Sequence, residues 1–212
     1  MIAREGRVIL IPILLITFTV GLYAHATENQ ALIIIYGIMG VTFLFCLNFF
    51  RDPKRTIPMD ESLVVSPADG KVIKVTQIND PDVGEDANLI SIFLNVFNVH
   101  VNRVPIDGKV EFSEMKKGKF LAAFDHKASD VNEQVITLLS HPSGKYKIKQ
   151  IAGLVARRIL CYAKSGIKMH KGGRLGFIRF GSRTDLILPS HVNVRVEVGQ
   201  KVIGGETIIG QL

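Results

Sequence analysis

Two uncharged apolar runs close to the N-terminus restrict this chain more than any other feature. VILIPILLITFTVGLYA (Val8 to Ala24) and ALIIIYGIMGVTFLFCLNFF (Ala31 to Phe50) are separated by HATENQ alone. The second run is long enough to span a bilayer, which takes roughly 20 residues. Arg4 and Arg7 precede the first run, and Arg51, Lys54 and Arg55 follow the second. Positive charge is retained in the cytoplasm, so both ends of a two-helix hairpin belong there. A second topology is open. Ala24-His25-Ala26 has the small-residue pattern of a signal-peptide cleavage site, in which case Met1 to Ala26 is removed and the second run halts transfer at RDPKR. The close spacing of the runs favours the uncleaved hairpin, and both topologies leave the residues after Arg51 in the cytoplasm. A hairpin that dips into one leaflet is a third arrangement, which Pro12, Gly21, Gly37 and Gly40 would permit. The expected division is a membrane-associated helical hairpin over residues 1–52 and a second domain over 53–212, on the cytoplasmic face of the cell membrane.

Charge narrows the partners. The formal net charge is +7 and the sequence pI is near 9.5, which suits an anionic partner, nucleic acid or lipid. With no Trp and 4 Tyr there is no aromatic-basic signature of an RNA-binding sheet. The apolar N-terminus therefore favours an anionic membrane surface, and no nucleic acid is expected. Cys46 lies inside an apolar run, so pairing with Cys161 is not expected, and no CxxC suggests a metal site.

From Pro53 onward, short apolar runs alternate with turn signals about every ten residues, the pattern of a β-dominated domain. SLVVSPADGKVIKVTQI reads as strand, turn, strand, with Pro67-Ala68-Asp69-Gly70 as the turn. NLISIFLNVFNVHVNRVP reads as one long extended segment, and VITLLSHPSGKYKIKQIAGLVA as a hairpin around His141-Pro142-Ser143-Gly144. MKKGKFLAAFDHKASDVNEQ is the least regular stretch, with room for a short helix. The fold class expected is β-dominated α+β, a single sandwich- or barrel-like domain behind an apolar helical hairpin. The closing VEVGQKVIGGETIIGQL is spaced like the small β-sandwiches that carry biotin or lipoate, and Lys168 before Met169 would be the carrier lysine. That reading needs a tight hairpin tip at Lys168 and leaves the membrane hairpin without a role.

Three polar positions need an account. Asp69 suits a β-turn after Pro67, and it also suits a carboxylate that orients a histidine. His100, in FNVHVNRVP, shares a strand face with Asn98 and Asn102; a solvated strand end or the wall of a site would both look like this. Ser182 follows Gly181 in RFGSRTDLILP, the one Gly-Ser pair of the chain. No G-x-S-x-G elbow surrounds it, and a loop serine is ordinarily a turn residue.

Taken together, FFRDPKRTIP, SPADGKV, NVHVNRVP, QIAGLVARRI and RFGSRTDLILP resemble phosphatidylserine decarboxylase proenzymes of the short, single-domain form. The resemblance runs in register from about Phe49 to Leu212, and the hairpin matches the family's membrane attachment. It implies that the Gly181–Ser182 bond is cut by the protein itself and that Ser182 becomes a covalent pyruvoyl group. Chains 1–181 and 182–212 would stay associated, and a homodimer is compatible with it. The pyruvoyl ketone would form a Schiff base with phosphatidylserine and release phosphatidylethanolamine, with no diffusible cofactor and no metal. By motif match, Ser182, His100 and Asp69 carry the chemistry, His100 as base and later as acid, Asp69 as its orienting partner.

One departure stands out. Longer members of the family place a second histidine where this chain has Arg103, so His100 must serve both steps or another histidine, His126 in AFDHKAS, must help. Lys54, Arg55, Lys71, Lys74 and the run Met115 to Lys119 could hold the domain against anionic lipid. Two alternatives remain. One is a decarboxylase of another serine-headgroup lipid of archaeal type. The other is a non-catalytic, membrane-tethered β-sandwich adaptor or carrier in which Gly181–Ser182 stays intact.

Overall fold

The computed structural model describes residues 1–125, 128–154, 158–179 and 181–212. It forms two compact units, Met1–Lys54 and Arg55–Leu212.

In the first unit, α1 (Arg4–Thr27) and α2 (Gln30–Phe49) fold back on each other. The reversal is local chemistry. Glu28 takes the left-handed conformation that ends α1, and the Asn29 side chain accepts from the N–H of Ala31 at 2.9 Å and of Leu32 at 3.4 Å to start α2. At the open end, Ala3 N–H donates to Phe50 O at 2.7 Å and Asp52 N–H to Met1 O at 2.8 Å. Both helices are long and apolar enough to cross a membrane, and most of their large apolar side chains, Ile11, Leu15, Phe18, Ile34 and Leu44 among them, face outward.

The second unit is strand-rich. Its strands are β1 (Leu63–Val65), β2 (Gly70–Asp80), β3 (Gly84–Leu94), β4 (Val101–Arg103), β5 (Gly108–Lys116), β6 (Gln134–His141) and β7 (Gly144–Ala152), then β8 (Ile159–Cys161), β9 (Lys168–Met169), β10 (Arg174–Ile178), β11 (Ser182–Leu188), β12 (Asn193–Val194), β13 (Lys201–Val202) and β14 (Ile208–Gln211). Eight of them form a curled antiparallel sheet in the order β13-β2-β3-β11-β7-β6-β5-β9. Two three-stranded sheets, β4-β10-β8 and β1-β14-β12, accompany it. The core packs Ile90, Ile92 and Leu94 of β3, Ile148 of β7 and Leu186 and Leu188 of β11 against Leu175, Val104 and Ile106. The β-dominated fold expected from the turn spacing is what the chain adopts.

Three local expectations resolve differently from one another. The hairpin at His141–Gly144 forms, with those two residues paired across Pro142-Ser143. The strands on either side of the Pro67–Gly70 turn belong to different sheets, because β1 pairs with β14 and β2 with β3. The long segment from Asn88 to Pro105 is not continuous strand. Asn95 Oδ1 accepts from Phe97 N–H at 2.9 Å and Asn98 Oδ1 from Asn95 N–H at 2.9 Å, and this side-chain turn throws β4 into a second sheet. A four-residue helix, α3 (Ala128–Val131), occupies the irregular stretch before β6.

Burial forces the polar groups into pairs. Tyr146 donates to Ile106 O at 2.5 Å, and its burial, with the charge of Asp107, pushes the phenol well above its ordinary range. Lys147, 4% exposed, lies 2.6 Å from Asp80 and 2.6 Å from Asp82. Burial of Asp80 favours its neutral form, but the Lys147 ammonium and the N–H groups of Asp82 and Val83 outweigh this and hold the carboxyl below its usual range. A carboxyl lowered on folding stabilises the fold above its unfolded pKa, about 3.9, and loses that contribution as pH falls through the folded value. Asp80→Asn should therefore lower the thermal midpoint at neutral pH and approach the native curve on acidification toward about pH 3. Parallel midpoint-against-pH curves would show that the pair contributes nothing that depends on pH.

Candidate active site

β11 is the central strand of the large sheet, and all seven of its residues are buried. Ser182 is its first residue, paired with Leu94 of β3 on one side and Ala152 of β7 on the other. Its hydroxyl is inaccessible and has no hydrogen-bond partner among the described residues, an uncommon state for a buried polar atom. Gly181 precedes it with φ +68°, in the left-handed region, where a side chain would be strained although the space beside it is open. Opposite lies Gly153. A Cβ there would stand 2.3 Å from Gly181 O, so the carbonyl of the Gly181–Ser182 bond rests against a backbone that only glycine leaves bare.

His100 reaches this bond from the other sheet. Gln150 of β7 donates to Asn102 Oδ1 at 2.7 Å, and Asn102 of β4 donates to Thr184 Oγ1 of β11 at 3.1 Å, all three residues being fully buried. His100 stands two residues before Asn102 and Ser182 two before Thr184, so the approach seen at Asn102–Thr184 continues toward the Gly181–Ser182 segment. There Gly181 N–H donates to His100 Nε2 at 3.3 Å. The opposite ring nitrogen, Nδ1, lies 3.0 Å from Asn98 O. A carbonyl oxygen can only accept, so Nδ1 carries the proton and Nε2 presents its lone pair to the Gly181–Ser182 segment. The imidazole is 0% exposed and held in the tautomer of a base.

Asp69 sits in the turn that enters β2. Its carboxylate accepts from Arg55 Nη2 at 2.8 and 2.9 Å and from Gly204 N–H at 2.8 Å. Arg103 N–H donates to Pro67 O at 2.8 Å, which places this turn beside the far end of β4 from His100. Neighbouring Gly70 lies against Phe93 of β3, so Asp69 is two strands across the sheet from Ser182, roughly 10 Å by the usual strand spacing. His126 lies outside the described residues.

On the other face of β11, Arg183 Nε donates to Asp185 Oδ1 at 2.6 Å and its Nη2 to Ser91 Oγ at 2.7 Å, while Ser129 of α3 donates to Asp185 Oδ2 at 2.6 Å. This buried group fixes the strand immediately after Ser182. The sequence reading did not single out Arg183, Asp185, Gly153 or the Asn102–Gln150–Thr184 chain. In the sequence alone Gly153 is one residue of QIAGLVARRI with no evident task, and Asn98 and Asn102 share only the face of His100.

The features expected of a carrier are not met, since Lys168 lies within β9 opposite Lys109 and not at a hairpin tip. A cleft of about 590 Å³ lies at the other end of the sheet, between Ile57–Glu61 and the strands carrying Lys109, His141 and Lys168, away from Ser182. Among the described residues no three His, Cys, Asp or Glu side chains gather as a metal site.

Comparison with known proteins bears on this geometry. The family described as phosphatidylserine decarboxylase matches residues 42–210. A phosphatidylserine decarboxylase proenzyme of Geobacter metallireducens is 45% identical over 212 residues, 100% of this chain and 96% of its own. The proenzyme of Cupriavidus pinatubonensis is 44% identical over 214 residues, covering 100% and 95%. That of Wolbachia pipientis is 46% identical over 183 residues, covering 82% and 80%. With its full length matched by relatives that it covers almost end to end, this chain belongs to the phosphatidylserine decarboxylase family and is a decarboxylase.

Proposed function

We propose that the chain cuts itself between Gly181 and Ser182, and that residue 182, converted to a pyruvoyl group, then decarboxylates phosphatidylserine to phosphatidylethanolamine at the cytoplasmic face of the membrane. The observation that carries this reading is a buried serine hydroxyl with no partner among the described residues, beside a left-handed glycine whose N–H donates to an imidazole nitrogen.

Each residue has a task in the cut. Ser182 Oγ adds to the Gly181 carbonyl carbon; the C–O bond forms, the C–N bond breaks, and the amide nitrogen leaves as an amine. The hydroxyl proton needs a base, and His100 Nε2 is hydrogen-bonded to the N–H of the preceding residue, Gly181. Gly153 leaves room where the carbonyl oxygen gathers charge. Removal of the Ser182 α-proton then expels Gly181 as a carboxylate and leaves dehydroalanine. Water replaces the nitrogen, which departs as ammonia. The same buried position, unsolvated and anchored by Arg183, suits the ketone that results. That group, once formed, condenses with the amine of the lipid and withdraws electrons as carbon dioxide leaves. His100, by then carrying a proton, is placed to return it to the substrate carbon.

Arg103 cannot take the place of a second histidine as base, because a guanidinium stays protonated; its Nη1 donates to Gly172 O at 3.0 Å. His100 is the one imidazole among the described residues hydrogen-bonded to Gly181. Asp69 supports the reading at a distance, by holding Arg55 and the backbone at Gly204.

Electrophoresis and intact-mass spectrometry test the cut. The native protein should run as residues 1–181 and 182–212, the smaller piece lighter by one molecule of ammonia than a serine-ended peptide. A single 23.4 kDa band without activity is expected for Ser182→Ala. The same single band from the native protein would favour the membrane-tethered adaptor instead. His100→Ala should slow cutting by about 10²–10⁴-fold and depress decarboxylation of whatever is cut, as loss of a positioned acid-base group does. Cutting at the native rate would remove His100 from the first step.

Gly153→Ala separates geometry from acid-base chemistry. It leaves every titratable group in place yet drives a methyl into the Gly181 carbonyl, so it should leave a folded, uncut chain. Circular dichroism of the native form together with normal cutting would refute the role given to this contact.

A further inference from the structure

Three large apolar side chains stand exposed on three separate loops, and all three loops leave the same end of the eight-stranded sheet. Phe97 is 65% exposed, Phe124 65% and Leu154 64%. Phe97 lies in the turn after β3, just beyond Leu94, one strand partner of Ser182. Leu154 follows β7, just beyond Ala152, the other partner of Ser182. The ring of Phe124 meets Phe93 edge-on at 6.0 Å, and Phe93 pairs with Arg183. Single exposed apolar residues are ordinary, but three on loops at the one end of the sheet where Ser182 begins β11 suit an apolar phase.

Charge at the same end indicates which occupant. Following the register across the sheet, Arg183 pairs with Ile151, Ile151 with Gln134, and Gln134 with Lys116. Exposed Lys116, Lys117 and Lys119 therefore stand at the Ser182 end, as does Lys71, the partner of Phe93. We propose that this end is an interfacial docking surface for an anionic bilayer: Phe97, Phe124 and Leu154 enter the acyl boundary, and the lysines meet the lipid headgroups. The inference rests on the function proposed above and adds how the substrate arrives. A diacyl lipid lifted into water exposes every methylene of both chains. A domain whose apolar tips reach the acyl boundary takes the serine headgroup at Ser182 while the chains stay in the bilayer. The opposite end of the sheet, where β5 meets β9 near His170, would face away from the bilayer, roughly 25 Å along the strand at about 3.3 Å per residue.

The chain has no tryptophan, which makes the test direct. Full-length protein carrying Phe97→Trp, Phe124→Trp, Leu154→Trp or His170→Trp, one at a time, is reconstituted in vesicles of phosphatidylglycerol and phosphatidylcholine with brominated acyl chains. Quenched, blue-shifted emission is expected at positions 97, 124 and 154 and not at 170. Equal emission at all four, or quenching at 170 alone, overturns the proposal. A second measurement compares substrates. Phe97→Ser/Phe124→Ser should cut itself normally, keep its rate on short-chain, monomeric phosphatidylserine, and lose about tenfold or more on long-chain vesicles, the scale expected for each large apolar side chain withdrawn from a nonpolar phase. Equal loss on both substrates would mean a structural defect, no loss on vesicles would mean a face for another protein, and either overturns the proposal. If the native protein decarboxylates neither substrate, the proposed function fails, whereas the quenching result stands or falls on its own.

Discussion

The register between two sheets governs the site, and two hydrogen bonds set it. Gln150 to Asn102 and Asn102 to Thr184 cross from β7 through β4 to β11 in a fully buried layer. In apolar surroundings an amide that slips by one strand position loses its partners outright, which costs more than most packing errors. The chain of amides therefore admits one alignment of β4 on β11, and that alignment sets His100 over Gly181. Hydrophobic packing around Ile90, Ile92 and Leu186 supplies the driving force, but oily contacts tolerate sliding and these bonds do not.

The tautomer of His100 follows from its own loop. The turn from Asn95 to Asn98 is closed by two asparagine side chains, and its last carbonyl meets Nδ1. A backbone oxygen can only accept, so it fixes which ring nitrogen carries the proton. The carboxylate of Asp69 accepts from Arg55 and from the N–H of Gly204. Where longer relatives place a histidine, Arg103 brings a permanent charge tied to Gly172 O.

Much of this was legible in the chain. Turn spacing gave the β-rich class and the charge-free runs gave the two helices, while the ordered motifs offered Ser182, His100 and Asp69 as candidates. The misreadings have physical causes. LISIFLNVFNVHVNRV keeps its apolar alternation through the Asn95–Asn98 turn, because the residues on both sides of it are buried in different sheets, so periodicity alone cannot show the break. The Pro67–Gly70 turn has hairpin chemistry but joins β1, whose partner β14 lies at the far end of the chain, to β2, which pairs with β3, and a partner as distant as β14 is set by tertiary packing. Gly153 looked like any strand-end glycine, since its meaning lies in the carbonyl it faces across space. Arg183 and Asp185 carry no sequence signal of burial, yet every residue of their strand is buried.

The place of β11 in the sheet order has a consequence for the lifetime of the protein. Strands β11 to β14 all follow Ser182, yet β11 fills the middle of the large sheet, β13 lies at its edge against β2, and β14 sits between β1 and β12. A break before Ser182 would leave a short peptide woven through two sheets, held by two full ladders and a buried arginine. Such a peptide could not leave without opening the core, so the pieces would behave as one body. Refolding would be another matter. What began as the closing of a loop within one chain becomes the meeting of two molecules, at a concentration set by dilution and not by chain length. The intact precursor would be the only form that finds this fold readily, and the cut protein would persist because it unfolds slowly, a state kept by its history.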